Sequence, residues 1–100
     1  MISLNVVWTF EAENDLDDIY EFYLQVSHKI ALKIISEIIL ETDKIIFLEE
    51  FQVDEINSKY RRIIVRHFKI LYRVVSNEIV IFAVFDSRQN PEKLIKMKNS

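Results

Sequence analysis

The sequence predicts an α+β fold in which a short N-terminal strand and an antiparallel helix hairpin pack on a small, mainly antiparallel sheet. Three observations lead to this prediction. A short alternating segment comes first, and two segments with apolar residues at helical spacing follow it, separated by a join of a few residues. Three segments rich in β-branched and aromatic residues then succeed one another with very short joins. Helices followed by a run of strands are typical of an α+β arrangement, with the helices on one face of the sheet and the other face left for function.

Composition limits the classes of protein to which the chain can belong. One hundred residues correspond to a single domain, residues 1–100, and 50% hydrophobic with 29% charged residues argue against a disordered chain. The absence of cysteine excludes disulfides and thiolate metal sites. No apolar stretch approaches the roughly 18 residues of a membrane span, and no secretory signal precedes the first strand. We therefore expect a cytoplasmic protein that does not insert in a membrane.

The N-terminal half is predicted to form the first strand and the helix hairpin. Apolar residues alternate over 4–8, and Thr9 is a candidate N-cap for a helix over about 10–26. Ser27 can cap a second helix, which continues to about residue 46. The positions predicted to face the core are Leu16, Ile19, Tyr20, Tyr23 and Val26 in the first helix and Ile30, Ala31, Ile34, Ile35, Ile38, Ile45 and Ile46 in the second.

The C-terminal half is predicted to form the sheet. Residues 49–58 are polar and irregular and read as a loop, and strands are expected at about 59–66, 68–75 and 79–85. The joins fall at 66–67 and 76–77, where Asn77 is the residue best able to adopt a positive φ in a chain without glycine. The apolar run over 79–85 predicts a central strand buried on both faces. Residues 92–97 can add a last helical turn.

Charge is divided unequally between the two halves. Residues 1–58 carry thirteen acidic and three basic residues, whereas residues 59–100 carry ten basic and three acidic ones. The stretch from 59 to 73 holds six basic residues and no acidic one. Such clustering indicates a basic surface for an anionic partner, either an acidic protein or a phosphate backbone. The alternative is an acidic helical layer lying over a basic sheet, with self-complementarity as the whole explanation.

Individual candidates follow from this basic stretch. Guanidinium groups bind phosphate or carboxylate oxygens bidentately, and Arg88 follows the predicted central strand, where a rigid element can position it. His67 lies in the first turn of the sheet and contributes to binding more readily than to catalysis, because one histidine supplies no acid–base pair. His67 and His28 have no metal-ligand spacing, so no metal and no cofactor are expected.

Several motifs, taken in order, resemble the RelE/ParE superfamily, the small toxins of type II toxin–antitoxin systems that are often described as plasmid stabilisation proteins. The resemblance covers residues 6 to about 94. The segments that carry it are Val7-Trp8-Thr9 with Ala12, Asp15-Leu16, Ile19 and Tyr23; Tyr60-Arg61-Arg62; Lys69-Ile70-Leu71-Tyr72-Arg73-Val74; and Asp86-Ser87-Arg88-Gln89-Asn90-Pro91.

The resemblance implies a partner and two alternative mechanisms. The partner is a cognate antitoxin, which would form a hetero-oligomer with the toxin and neutralise it. RelE-like members are mRNA interferases that cleave mRNA on the ribosome, and by strand position Arg61, Lys69 and Arg88 match the basic residues of that endoribonuclease site. We expect these three side chains to converge on one phosphate, with Arg62, Arg66, His67 and Arg73 adding target contacts.

ParE-like members instead inhibit DNA gyrase and are not nucleases. Many RelE-like nucleases carry a C-terminal tyrosine or histidine–tyrosine pair, but this sequence has no tyrosine after Tyr72 and no histidine after His67. Growth inhibition by mRNA cleavage is the first expectation from the sequence, and gyrase inhibition is the alternative. A third possibility is a member that only binds its antitoxin and represses transcription with it.

Overall fold

The protein consists of a four-stranded mixed sheet with two helices on one face. The computed structural model describes residues 5–47 and 60–87. Within them the strand order is β1-β4-β3-β2. The elements are β1 (Asn5–Trp8), α1 (Phe10–Leu24), α2 (His28–Asp43), a 3-10 turn (Lys44–Phe47), β2 (Arg61–Val65), β3 (Phe68–Val75) and β4 (Glu78–Asp86). The predicted α+β class and the order of elements are therefore confirmed. The predicted loop over 49–58 and the helical turn over 92–97 lie outside the described residues.

Side-chain caps fix the starts of both helices as the sequence predicts. The Thr9 hydroxyl accepts a hydrogen bond from the backbone amide of Ala12 (3.1 Å), and the Ser27 hydroxyl accepts one from Ile30 (3.3 Å). Each cap satisfies a backbone donor that the first helical turn leaves without a partner. The predicted ends are less accurate, because α1 stops at Leu24 and α2 at Asp43 before its 3-10 continuation.

β4 is the central strand, and β1 is its parallel neighbour. Residues 5–8 pair in parallel with residues 78–81, while β3 pairs antiparallel with both β4 and β2. A parallel pair needs a long crossover, which here includes the helix hairpin and the other two strands. The prediction of a central strand over 79–85 is confirmed, and the parallel pairing of β1 is a feature that the sequence pattern did not reveal.

A β-bulge in β4 interrupts the regular alternation of its side chains. Leu71 pairs with Ala83 and the next residue, Tyr72, pairs with Ile81, so Phe82 is the extra residue. A bulge places two residues of one strand opposite one residue of its neighbour. Ile79, Ile81 and Val84 consequently belong to the helix-side core, whereas Phe82, Ala83 and Phe85 pack on the other side. This arrangement explains why the apolar run of β4 is continuous.

The core has two parts, one on each side of the sheet. The larger part lies under the helices and contains Ala12, Ile34, Ile38, Ile45, Val65, Phe68, Ile70, Tyr72, Ile79, Ile81 and Val84. The smaller part lies on the far side and contains Tyr60, Leu71, Ala83 and Phe85, with Phe82 packed against them. Because Leu71 is 0% exposed, the centre of the far side is buried rather than open to a ligand. The expectation that this whole face is free for function was wrong. Val26 and Ile30, predicted to be in the core, are also exposed.

The two hairpin turns use positive φ at residues other than the one predicted. Arg66 has φ 57° and Ser76 has φ 54°, whereas Asn77 is not among the described residues with positive φ. In each case the first residue of the two-residue turn takes the left-handed conformation, although both residue types carry a Cβ that disfavours it. The prediction for Asn77 was wrong because the position in the turn, rather than side-chain tolerance, decides which residue bears the strain.

Asp15 joins α1 to an open edge of β4. Pairing between β1 and β4 ends at Trp8 and Ile81, so no described strand lies beside the rest of β4 on that edge. There the Asp15 carboxylate accepts a hydrogen bond from the backbone amide of Val84 (3.1 Å). The sequence suggests that Asp15 lies on a solvated helix face, but the structure uses it as a backbone cap for the sheet.

Candidate target-binding surface

The pairing register decides which face of the sheet each basic side chain occupies. Residues that pair directly across antiparallel strands have side chains on the same face. Arg61 pairs with Tyr72, a member of the helix-side core. Lys69 pairs with Phe85, a member of the far-side cluster. Arg61 and Lys69 therefore occupy opposite faces, and the convergence on one phosphate that was predicted for them is not found. Arg88, the third residue of that prediction, lies outside the described residues.

Lys69 is also much less accessible than a surface lysine. Only 9% of the residue is exposed, and Ile64 and Phe85 are its neighbours across the two adjoining strands. Lysine is rarely buried to this extent unless a partner compensates for the loss of hydration. A large target can therefore contact Lys69 directly only if the residues around it move. A simpler role for this side chain is to support the neighbouring residues of the sheet.

Arg61 lies beside the most deeply buried tyrosine of the described residues. Tyr72 is 0% exposed, and burial raises the pKa of its hydroxyl to about 12, while the nearby Arg61 guanidinium acts in the opposite direction, chiefly through its charge. Arg61 itself is exposed. The Arg61 guanidinium therefore lies near Tyr72 and is also accessible at the outer strand of the sheet.

Arg66 forms an ion pair with the helix layer. Its Nε and Nη2 atoms donate to the two carboxylate oxygens of Glu37 in α2, and the second distance is 3.0 Å. The guanidinium fork matches both oxygens of the carboxylate. The pair lowers the pKa of the Glu37 carboxyl, chiefly through the Arg66 hydrogen bond, and raises the pKa of Arg66. Because this pair occupies the guanidinium, Arg66 is a weaker candidate for target binding than the sequence indicates.

His67 belongs to a small polar cluster at the end of the sheet. Its Nε2 atom is 3.0 Å from the Tyr23 hydroxyl and 3.6 Å from the Asp86 carboxylate. Its ring packs on Phe68 with centroids 4.3 Å apart, and its carbonyl accepts hydrogen bonds from the amide and hydroxyl of Ser87, both at 2.8 Å. These contacts hold α1, the β2–β3 turn and the end of β4 together. Sequence reasoning missed Tyr23 and Asp86 as partners because 44 and 19 residues separate them from His67 and no short motif links them.

Arg62 and Arg73 lie on the far side of the sheet together with aromatic rings. The pairing of Arg62 with Leu71 and of Arg73 with Val80 puts both on that face. The Arg73 guanidinium lies 6.0 Å from the centre of the Tyr60 ring, which contacts Phe82 edge to face at 5.2 Å. Arg73 is exposed and Arg62 is half-buried. We call these four residues the arginine–aromatic rim.

The carboxylates of α1 do not neutralise this basic surface. Five of them are exposed, and none forms an ion pair in the part of the chain that the structure describes. These are Glu11, Glu13, Asp17, Asp18 and Glu21. The Glu37–Arg66 ion pair joins the helix layer to the sheet, so the alternative of an acidic layer over a basic sheet holds in part. It does not explain the whole basic surface, because the arginine–aromatic rim occupies the face that the helices do not cover.

Two further chemical possibilities can be checked on the described residues. Within residues 5–47 and 60–87, no group of three or more histidine or acidic side chains is arranged to hold a metal ion. The helices in these same ranges are too short or too polar to span a membrane.

Comparisons with known proteins agree with this fold. A solved structure titled "Chromosomal ParDE TA system from P. aeruginosa" is similar, with a TM-score of 0.77 and 23% sequence identity over 86% of this chain and 98% of that chain. The sequence matches no curated protein. A family model described as "ParE toxin of type II toxin-antitoxin system, parDE" matches residues 6–91. Because that match covers most of the sequence, the chain belongs to the family of ParE toxins of type II toxin–antitoxin systems.

Proposed function

We propose that this protein is a growth-inhibiting toxin and that a cognate antitoxin neutralises it by forming a hetero-oligomer with it. Membership of the ParE toxin family supports this proposal, as does the similarity to a solved structure whose title names a ParDE toxin–antitoxin system. We further propose that it acts in the cytoplasm, where the ribosome and DNA gyrase are both present, and that residues 1–100 act as one toxin domain.

We infer that inhibition of DNA gyrase is the mechanism that fits the geometry best. The observation that supports it is the separation of Arg61 from Lys69 on opposite faces of the sheet. Cleavage of a phosphodiester needs cationic groups and proton-transfer groups gathered around one phosphate. The described residues offer no such group, because Lys69 is buried and His67 is bound to Tyr23. A toxin that works by binding needs only an accessible complementary surface.

The arginine–aromatic rim is the part of the described surface that we assign to target binding. Arg73 and Arg62 supply positive charge, and the half-buried Phe82 ring supplies apolar area beside it, while the buried Tyr60 ring contacts both Arg73 and Phe82. Arginine and aromatic residues carry much of the binding energy in protein interfaces. Arg61 can extend the contact at the outer strand, and Arg88 stays a predicted contact. Arg66 and His67 then act mainly through the shape of the β2–β3 turn.

Ribosome-dependent mRNA cleavage is the second candidate, and the arginine–aromatic rim also favours it. Arginine planes and aromatic rings on one face of a sheet are common where single-stranded RNA is bound, because bases stack on both. For cleavage, Arg61, Lys69 and Arg88 would have to act as predicted from the sequence, with a conformational change that brings the first two together. Gyrase inhibition needs no such change.

Two assays on the same induced cells separate these mechanisms. With gyrase inhibition we expect plasmid supercoiling to fall while primer extension finds intact mRNA, and we expect the purified protein to inhibit supercoiling by gyrase. Arg73→Glu should reduce that inhibition at least about tenfold, since it reverses a charge at the proposed contact. Lys44→Ala is the matched control, because Lys44 is exposed on the helix layer and pairs with Glu41.

Other outcomes would point elsewhere. Codon-linked mRNA cuts that disappear in Lys69→Ala would reject gyrase inhibition and establish the nuclease. Harmless expression in the absence of an antitoxin would reject both mechanisms and leave an antitoxin-binding co-repressor. Protection of growth when the neighbouring antitoxin gene is co-expressed, together with co-purification of the two proteins, tests the neutralised complex itself.

A further inference from the structure

We propose that a second copy of this chain docks on the outer face of the helix hairpin, so that α1 of each copy packs on α2 of its partner. This inference concerns the side of the molecule opposite the arginine–aromatic rim and does not depend on the proposed function. It rests on three observations: the exposed apolar residues of the two helices, the opposite charges of the residues nearest their turn, and the register that the hairpin imposes on both helices.

The outer faces of the two helices are unusually apolar for a solvated surface. Phe10 in α1 is 81% exposed, and Leu32 and Leu40 in α2 are 47% and 56% exposed. Isolated exposed apolar residues are common, but several on adjoining helices are a feature that often marks protein–protein contacts. No described element of the chain covers these side chains.

The charges of the two helices are complementary in the halves nearest their turn, whereas the far half of α2 carries its three acidic residues, Glu37, Glu41 and Asp43. α1 contains six acidic residues and no basic one, and its exposed Asp17 and Glu21 form no ion pair with any described residue. Exposed Lys29 and Lys33 lie on α2, where neither forms an ion pair with a described residue and Lys33 adds only a long-range attraction to Glu37. An acidic helix and a lysine-bearing helix in one chain make a second copy the partner with matching chemistry.

The hairpin register brings the complementary residues to the same level. Tyr20 and His28 contact each other edge to face across the seam, with ring centroids 6.5 Å apart. With a rise of 1.5 Å per residue in each antiparallel helix, this contact brings three further pairs level to within about 3 Å. These pairs are Glu21 with Lys29, Asp17 with Lys33, and Phe10 with Leu40.

A two-fold axis parallel to the helices allows all three pairs to form contacts between the two copies at the same time. It lays α1 antiparallel on the partner's α2 at the same level, and it repeats every contact on the other side of the axis. Glu21 then faces the partner's Lys29, Asp17 faces the partner's Lys33, and Phe10 packs on the partner's Leu40. The result is a closed dimer with a four-helix centre, in which the helix axes lie about 8–10 Å apart. Both arginine–aromatic rims face outward and stay accessible.

The size of the contact predicts a reversible dimer. Two helices of about 23 Å in length cover an area at the lower limit for specific interfaces, about 1,000 Å² in total. We therefore expect a dissociation constant in the micromolar range. The exposed ion pairs should make it sensitive to salt, because the Debye length falls from about 10 Å at 0.1 M to about 3 Å at 1 M salt.

Sedimentation velocity of the purified full-length chain tests the proposal directly. From about 5 to 500 µM protein at low salt, the mass should rise from 12.0 kDa towards twice that value, and about 1 M salt should reverse the rise. A double variant with Asp17→Lys and Glu21→Lys should dimerise about tenfold or more less tightly than the wild type, as should one with Lys29→Glu and Lys33→Glu. An equimolar mixture of the two variants should form a heterodimer, because each interface half then joins opposite charges.

Two controls make the result decisive. Glu78→Lys changes an exposed charge at the β3–β4 turn, far from the hairpin, and should leave dimerisation unchanged. Circular dichroism melts show whether the double variants are folded, and dimerisation on mixing also requires that they are. A wild-type chain that stays at 12.0 kDa over the whole concentration range overturns the proposal. So does a dimer that both double variants form as readily as the wild type.

Discussion

Asp15→Ala tests whether one side-chain cap holds α1 to the open edge of β4. The Asp15 carboxylate accepts a hydrogen bond from the Val84 amide at 3.1 Å, and Val84 is 1% exposed. With the carboxylate removed, water has little access to the amide. A buried donor left without a partner costs about 1–3 kcal/mol. Because small domains are stable by about 5–15 kcal/mol, this loss is large enough to measure accurately.

Urea unfolding followed by circular dichroism measures this loss. We expect Asp15→Ala to lower the free energy of unfolding by about 1–3 kcal/mol, and to lower Tm by about 4–8 °C per kcal/mol. Asp15→Asn keeps an acceptor oxygen and should lose less. Asp18→Ala is the matched control, since Asp18 is an exposed carboxylate of the same helix and its removal should change stability by about 0.5 kcal/mol or less.

Amide hydrogen exchange supplies a local readout of the same bond. The Val84 amide should lose protection in Asp15→Ala by more than the global loss of stability requires, whereas amides of the paired segment of β4, such as Ile81, should follow the global change. Equal free energies of unfolding for Asp15→Ala and Asp18→Ala would mean that the hydrogen bond from Val84 to Asp15 contributes nothing to stability, contrary to this prediction.

Two further predictions concern a strained turn and a buried hydroxyl. Ser76→Gly should stabilise the fold by about 0.5–1 kcal/mol, because glycine adopts the φ of 54° without a Cβ clash. Asn77→Gly is the control and should bring no such gain. Equal shifts in Tm for the two variants would contradict the prediction. Burial raises the pKa of Tyr72 to about 12, above the value of about 10 for an unfolded chain. The unfolded state therefore loses this proton first, and the contribution to stability is complete below about pH 10 and is lost as pH rises towards 12. Tyr72→Phe should reduce this alkaline loss in urea titrations, and an unchanged pH profile would contradict it.

Local patterns in the sequence predicted most of the fold. The helix starts were readable because Thr9 and Ser27 are capping residues immediately before amphipathic segments. The strands and their order were readable because β-branched runs alternate with two-residue turns. The helix ends were predicted less accurately and the bulge at Phe82 was not predicted, because packing against other elements determines both.

The candidate site was predicted less completely than the fold. The sequence identified the basic residues of β2 and β3. It could not align these strands with each other or with β4, and the alignments put Arg61 beside Tyr72 and Lys69 beside Phe85. Since one residue of register moves every side chain of a strand to the other face, a site that spans two strands depends on information that neither strand contains alone.

The sequence by itself determined the α+β class, the two helix starts, the buried character of β4 and the concentration of basic residues after residue 58, because each depends on near neighbours in the chain. The tertiary structure alone decided that Asp15 caps Val84, that Glu37 pairs with Arg66, and that Tyr23, His67 and Asp86 meet at one end of the sheet. Those contacts join residues 19 to 69 positions apart, and only the packing of helices on the sheet brings them within reach.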